Sequence, residues 1–276
     1  MNDSDRPRDR DGVEARTGDA HEDVDALAAG ELMSAAQIGP TGLPRREVPA
    51  AFDVGAPAYD RLVGANPGYH EHLRISARRM RLPDRGRGLR LLDAGCGTGA
   101  STAALLAIAP EAEIVALDAS AGMLAEARAK QWPTSVRFVH SRVEDLADAG
   151  VQGPFDGIFA AYLLRNLADP DATLREFLTL LRPGGTLAIH EYSVRDSALA
   201  RAVWNAVCCA VIIPLGRLRT GDGGLYDHLR RSVNAFDGAA AFCDRLRADG
   251  FTAVHTETMP GWQRNVVHTF LANAPS

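Results

Sequence analysis

Lysine is nearly missing from this chain: Lys130 stands alone beside the arginines that make up the rest of 30 basic residues. Acidic residues number 35 and the formal net charge is −5, so no global basic field recruits nucleic acid. With a high alanine content, the arginine excess reads as a coding bias and not as a guanidinium-specific function. Cysteine is scarce too. Cys96, Cys208, Cys209 and Cys243 form no CxxC pair and no metal-ligand spacing. The adjacent Cys208 and Cys209 read as small apolar core residues. Long apolar runs are absent: the longest, Ala206 to Leu215, falls short of the roughly 20 residues that span a bilayer and contains Pro214. The N-terminus is polar and acidic and has no apolar leader segment, so secretion is not expected. These absences point to a cytoplasmic protein with reduced thiols.

What is present suits an α/β enzyme. Hydrophobic residues make up 46% and charged residues 24% of 276 positions, ample for a sizeable core. Residues 1–46 mix acids with arginines and carry no sustained apolar period. Such a segment cannot bury enough surface to offset its ordering entropy, and a disordered tail is expected, with a weak helix at most over Leu27 to Ile38. Residues 47–276 read as one domain. Strands are predicted at Arg90–Leu92, Ala112–Leu117, Val136–His140, Phe155–Ala160 and Thr186–Tyr192, with helices between them. The clearest helix is Pro170–Leu181, where Leu174, Phe177, Leu178 and Leu181 share a face and Asp169 is the N-cap. This alternation implies a doubly wound, mostly parallel sheet. The rhythm breaks at about 196–232, a helical insertion. A last helix capped by Asp237 and stopped by Gly250 precedes two closing strands, Phe251–Thr256 and Asn265–Ala272, which complete seven, with an antiparallel strand closing the sheet.

The strongest chemical signal is Asp93-Ala94-Gly95-Cys96-Gly97-Thr98-Gly99, following a strand and preceding a helix. Glycines let the backbone approach a ligand and adopt positive φ. The spacing is DxGxGxG and not the dinucleotide GxGxxG, whose helix N-terminus meets a pyrophosphate. S-adenosylmethionine has no phosphate, and an acid such as Asp93 can hold its methionine ammonium, directly or through water. Asp118 ends the second strand roughly 20 residues on, where a carboxylate accepts ribose hydroxyls. A purely structural glycine turn and an NAD site are the lesser readings.

On these residues the chain resembles the class I S-adenosylmethionine-dependent methyltransferases, which implies their Rossmann-like fold and that cofactor. The resemblance extends the expected cofactor set from Asp93, Gly95, Cys96, Gly97, Gly99 and Asp118 to Ala119, Met123 and Ala160, and to Val143 and Glu144 beside the adenine. No acid stands at Arg142, where one is often found. More narrowly, Phe52-Asp53-Val54-Gly55-Ala56-Pro57-Ala58-Tyr59-Asp60 and Gly68-Tyr69-His70 resemble N-terminal motifs of the ubiquinone/menaquinone biosynthesis C-methyltransferases. So do Tyr162-Leu163-Leu164-Arg165-Asn166-Leu167 and Glu191-Tyr192-Ser193 further on. Leu163 replaces a small Gly, Leu73 replaces a Trp, and Gly261-Trp262-Gln263-Arg264 departs from the usual ending.

The resemblance implies methylation at a ring carbon of a reduced prenylated quinone, or of a similar lipophilic aromatic. Other small molecules, of carotenoid or polyketide type, are the alternative, and a silent scaffold with Leu163 blocking the acceptor is the third. Arg165, Asn166 and Tyr59 are expected to handle the acceptor. Arg165 is a poor base because its pKa exceeds about 12, so it would stabilise a phenolate or polarise a water. Helix capping, or pairing with Asp169, is its structural alternative. His70 and His190 are the titratable candidates. The apolar stretch Ala202 to Leu215 is either core or the receiver of an isoprenoid tail with transient membrane-surface contact. No metal is expected, and the oligomeric state, a homodimer included, is open.

Overall fold

The computed structural model describes residues 68–220 and 224–276, with Asp53, Ala56, Tyr59, Asp60, Val63, Gly64 and Asn66 ahead of them. The expected tail over 1–46 and the weak helix at Leu27 to Ile38 lie outside the described residues. Seven strands form one sheet: β1 Arg90–Ala94, β2 Glu113–Asp118, β3 Val136–His140, β4 Phe155–Ala161, β5 Leu181–Tyr192, β6 Thr252–Thr258 and β7 Val267–Asn273. Their order is β3-β2-β1-β4-β5-β7-β6. Pairing is parallel from β3 through β5, whereas β7 runs antiparallel to both β5 and β6. Strand order reverses beside β1, so a crevice opens beyond the carboxyl ends of β1 and β4.

Continuous apolar runs make the central strands, β1, β2 and β4, because both faces are covered, whereas the edge strands β3 and β6 stay partly exposed. Successive residues of β1 feed opposite layers: Leu91 packs with Ala77, Leu105 and Phe159, while Leu92 packs with Ile158, Phe177 and Phe270. The first layer belongs to α1 (Tyr69–Arg79), α2 (Ala100–Ile108) and α3 (Ala121–Arg128). The second belongs to α4 (Pro170–Leu180) and to the C-terminal helix (Ala239–Ala248). Asp169 caps α4 as expected, its Oδ1 accepting from the Ala172 amide at 2.9 Å.

Three expectations are corrected. Asp237 does not cap the C-terminal helix. Gly238 occupies that place, and Asp196 supplies the acceptor for the Ala240 amide from 44 residues away, which frees Asp237 to bond Arg245. Cys208 is buried but its neighbour Cys209 is exposed, since adjacent residues on a helix point apart. Third, the apolar run is longer as structure than as sequence. Helix α5 (Ala198–Val207) widens into a π-helix over Cys208–Ile212 and continues as α6 (Ile213–Thr220). Pro214 has no N–H to return to Ala210, and the wide turn just before it absorbs that loss without ending the helix. Ala198–Leu218 is therefore one helical rod of 21 residues with only 22% of its apolar window buried. By length and composition it could cross a membrane.

Helix α7 (Gly224–Ala235) packs back on this rod. A Cβ on Gly216 would lie 2.3 Å from the Tyr226 ring, so the two helices meet there only because the side chain is missing. The C-terminal helix completes the chain order as α8.

Candidate active site

β1 ends in the glycine loop, and the loop's geometry follows from where its amides go. Gly95 and Cys96 both donate to the Leu117 carbonyl, at 2.9 and 2.8 Å, which ties the loop to β2. The Gly97 amide donates to Asp118 Oδ2 at 2.8 Å, and the Ser120 amide donates to Oδ1 at 2.8 Å. Gly95 and Gly97 take φ of +74° and +54°, and Leu163 rests 3.1 Å from where a Gly95 Cβ would stand. Thus the loop is flat and close-packed on one side and open to a cleft on the other. The cleft, counting its mouth, holds about 1030 Å³.

Asp93 lies beneath the loop and is fully buried. Its Oδ2 accepts from the Ser101 and Thr102 hydroxyls at 2.8 and 2.6 Å, anchoring the start of α2, whereas Oδ1 has no partner. Burial pushes the carboxyl up to about 7, against those two hydroxyls. Burial also raises Asp118, which keeps free lone pairs on both oxygens toward the cleft.

A second cavity of about 1190 Å³ adjoins the cleft. The two share Tyr59, Tyr69, Tyr162, Arg165 and Asn166, which form the partition between them. Tyr162 follows β4 with φ of +55°, an uncommon conformation for a bulky residue. That turn points its carbonyl at two donors, Arg165 Nη1 at 2.8 Å and Asn166 Nδ2 at 3.1 Å. Arg165 Nη1 also pairs with Glu191 Oε1 at 2.8 Å, and neither side chain reaches solvent to any extent. Burial opposes charge on Arg165, but the carboxylate beside it holds the guanidinium above its ordinary value. The guanidinium lies 5.6 Å from the ring centroids of both Tyr162 and Tyr192, within cation–π reach. Its Nε is buried without a hydrogen-bond partner. Tyr69 and Tyr192 stack on either side of Tyr162, and burial raises all three phenols, which stay protonated.

Asp53, Tyr59 and Asp60, ahead of α1, reach this region, and Tyr59 lines the cleft. Asp60 bonds the Thr98 hydroxyl at 2.5 Å and Lys130 at 2.5 Å, while Lys130 also donates to the Thr98 carbonyl. Asp53 accepts from Ser120 Oγ and the Gly122 amide, which hold its carboxyl below the usual range.

The structure brings together most of the expected cofactor set: Gly95, Cys96, Gly97, Asp118, Ala119 and Met123 line the cleft, with Val143 and Glu144 across from them. It leaves three out. Asp93 is under the floor, Ala160 points into the core, and Gly99 is packed against Trp132 at the start of α2. Arg142 does line the cleft and pairs with Glu144 at 3.5 Å. Tyr59, Arg165 and Asn166 share the partition, but His70 is exposed on α1 and lines neither cavity. His190 is buried with both nitrogens engaged, by Ser76 at 2.8 Å and by the Tyr162 hydroxyl at 2.9 Å, and burial drives it down to about 3. It is a neutral spacer and not a base. Arg165 pairs with Glu191 and not with Asp169. Leu163 sits against Gly95 and lines the cleft but not the second cavity.

Glu191, Asp53 and Asp60 were visible only as letters within motifs, and nothing in their spacing disclosed their partners. Removing Arg165 should leave Glu191 buried and uncompensated, so Arg165→Ala is expected to cost about 3–5 kcal/mol in denaturant unfolding. Arg165→Ala combined with Glu191→Ala should recover part of that loss. A single-variant cost below about 1 kcal/mol would show that the pair does not hold the two strand ends.

Residues 45–268 match the ubiE/COQ5 methyltransferase family. The chain is similar to a demethylmenaquinone methyltransferase of Clavibacter sepedonicus, 34% identical over 210 residues that cover 75% of this chain and 83% of that one. It is also similar to a ubiquinone/menaquinone biosynthesis C-methyltransferase of Syntrophotalea carbinolica, 31% identical, covering 79% and 91%. Among solved structures, the plantazolicin methyltransferase BpumL in complex with SAH shares the fold at a TM-score of 0.61 and 11% identity, covering 91% of this chain and 99% of its own. So does the [4+2]-cyclase SpnF, at 0.62 and 19%, covering 86% and 97%. One fold serving a transferase and a cyclase leaves the reaction to be read from the site. The cleft suits an amino acid nucleoside: its floor is the glycine loop, and Asp118, with one amide on each oxygen, retains lone pairs for paired hydroxyls. The chain belongs to the ubiE/COQ5 family and is an S-adenosylmethionine-dependent methyltransferase.

Proposed function

We propose that this enzyme methylates a ring carbon of a reduced quinone bearing an apolar tail. One observation carries the reading: the second cavity is mostly apolar, opens along the α5–α6 rod, and meets the cofactor cleft at Arg165 and Asn166. The names of the relatives support the same acceptor class.

S-adenosylmethionine supplies the methyl group from its sulfonium. Asp118 would hold the ribose hydroxyls, Asp93 would act from beneath by anchoring the helix that follows the loop, and Val143 and Glu144 would flank the adenine. On the acceptor side a ring hydroxyl must lose its proton so that electron density reaches the neighbouring carbon. Arg165 cannot take that proton, since it is already a cation fixed by Glu191. It stabilises the phenolate, with its unpartnered Nε as the free donor. Asn166 and Tyr59, on the same partition, orient the ring, and burial keeps the Tyr59 phenol protonated as a donor. Apolar walls exclude water from the transfer and align acceptor with donor.

The tail would lie among Val207, Ile212 and Leu215, and its entrance is flanked by exposed Val211 and Trp262. Leu199 and Leu218, 75% and 84% exposed, extend that apolar face along the rod. We place the enzyme in the cytoplasm, meeting the lipid surface through this face. Arg201 and Arg217 bracket the stretch, so attraction to anionic headgroups would be weak and apolar contact would dominate.

With isotopically labelled S-adenosylmethionine and lipid extract from a host lacking the gene, label should enter a quinone only after chemical reduction of the extract. Label in another lipid or a pigment would keep the enzyme class and replace the acceptor. In calorimetry, Asp118→Ala should weaken S-adenosylhomocysteine binding by about 10- to 100-fold, the loss of two charge-assisted hydrogen bonds. Unchanged affinity would remove Asp118 from the ribose role. In flotation with neutral phospholipid vesicles, the wild-type chain should rise with the lipid and the Leu199→Glu, Leu218→Glu double variant should stay below. Equal behaviour of the two would discard the membrane face.

A further inference from the structure

Among the described residues, His228 is the one imidazole that lines the second cavity. It sits on α7, is 9% exposed, and neither Nδ1 nor Nε2 has a hydrogen-bond partner. A neutral imidazole has one N–H and one lone pair, and leaving both unpaired inside a protein costs stability. Such a group is built to meet something the cavity holds.

From these contacts we propose that His228 is the general base that takes the acceptor's hydroxyl proton. This rests on the reading of the acceptor as a hydroxylated ring. Elimination supports it. Among the described residues lining the second cavity, the titratable side chains are tyrosines, Arg165 and His228. Tyr59, Tyr69, Tyr162 and Tyr192 are held protonated by burial, Tyr226 offers a phenol O–H, and Arg165 is a fixed cation. Glu191 stands behind Arg165 with Oε1 engaged by that guanidinium and by the Tyr192 amide. Of the described side chains that line the cavity, His228 supplies the basic nitrogen lone pair.

The elements packed against α7 carry Arg201 on α5, Cys208 and Cys209 on the π-helix, Arg217 on α6 and Arg165 on the turn after β4. On α7 itself Asp227 pairs with Arg230 and Arg231. Cys208 is pushed up to about 12 by burial and carries no charge. Burial first, and the Arg165 charge second, hold the His228 imidazole below its ordinary value. It is thus neutral and ready to accept, and the same Arg165 charge favours the phenolate it creates.

The step balances. The hydroxyl proton moves to a His228 nitrogen and the O–H electron pair delocalises into the ring. The ring carbon bonds the methyl group, and the S–CH3 pair stays on sulfur as the neutral thioether. The methylated carbon then loses its own proton to solvent as His228 returns one to oxygen, restoring the aromatic diol and releasing one proton net.

Two measurements test this. The first uses no turnover: wild-type protein labelled with 15N-histidine is titrated with 1-naphthol, a hydroxylated ring without a tail. The His228 nitrogens, assigned by their loss in His228→Gln, should shift on binding. Naphthol that binds and leaves them unmoved, or that does not bind, overturns the assignment. The second is the single-turnover rate on a short-tailed naphthohydroquinone with the methyl donor saturating, so that titration of Asp93 and Asp118 is removed. Wild type should lose rate on the acid side with a midpoint below that of an ordinary histidine. His228→Gln should be about 100- to 10,000-fold slower and lack that limb, with S-adenosylhomocysteine affinity unchanged. Equal rates and equal limbs would remove His228 from catalysis while leaving the acceptor reading intact. A naphthol response without hydroquinone methylation would do the reverse, keeping the base and discarding the quinone.

Discussion

The ion pair between Arg165 and Glu191 is the constraint around which both chambers are organised. It joins the turn after β4 to the end of β5 in a place with almost no water, so its attraction is strong and its loss would be costly. Because Arg165 is fixed through Nη1 on Glu191 and on the Tyr162 carbonyl, the turn must carry Tyr162 at positive φ. That in turn presents the ring to Tyr69, Tyr192 and His190 as one aromatic wall. A partition between the two cavities is the result, with its cation buried and oriented. Preorganised charge of this kind pays no reorganisation at the moment of reaction.

The sheet was legible because parallel strands covered on both faces must be continuously apolar, as Leu91-Leu92 and Ile158-Phe159 are. The glycine loop was legible because positive φ at Gly95 and Gly97 demands glycine. Local rules failed where a distant residue took over a local task. Asp237 has the right chemistry for a cap, but Asp196 arrives from 44 residues away and performs it. Pro214 reads as a helix breaker, and the π-helix before it shows that a backbone can widen to accept it.

The site was legible in half. Motif residues such as Arg165, Asn166 and Asp118 stand where their spacing to strand ends places them. Their partners do not announce themselves, since Glu191 lies 26 residues from Arg165 and meets it only once β4 and β5 are side by side. His228 is harder still. Flanked by Asp227 and Leu229 on an amphipathic helix, it looks like one more solvated polar residue, and only the closure of α7 on the rod turns it inward. His70 shows the converse: a histidine within a motif, beside the buried Tyr69, that faces water.

The contact of Lys130 with Asp60 beside the cleft has a chemical corollary. Lys130 holds Asp60 and the Thr98 carbonyl together, and it is the only ε-amino group in the chain. An acylating reagent therefore finds a single lysine on this protein, and it finds it where Asp60 meets the glycine loop at Thr98. Lysine chemistry, which on most enzymes scatters over the surface, becomes here a one-site probe of whether that contact is made.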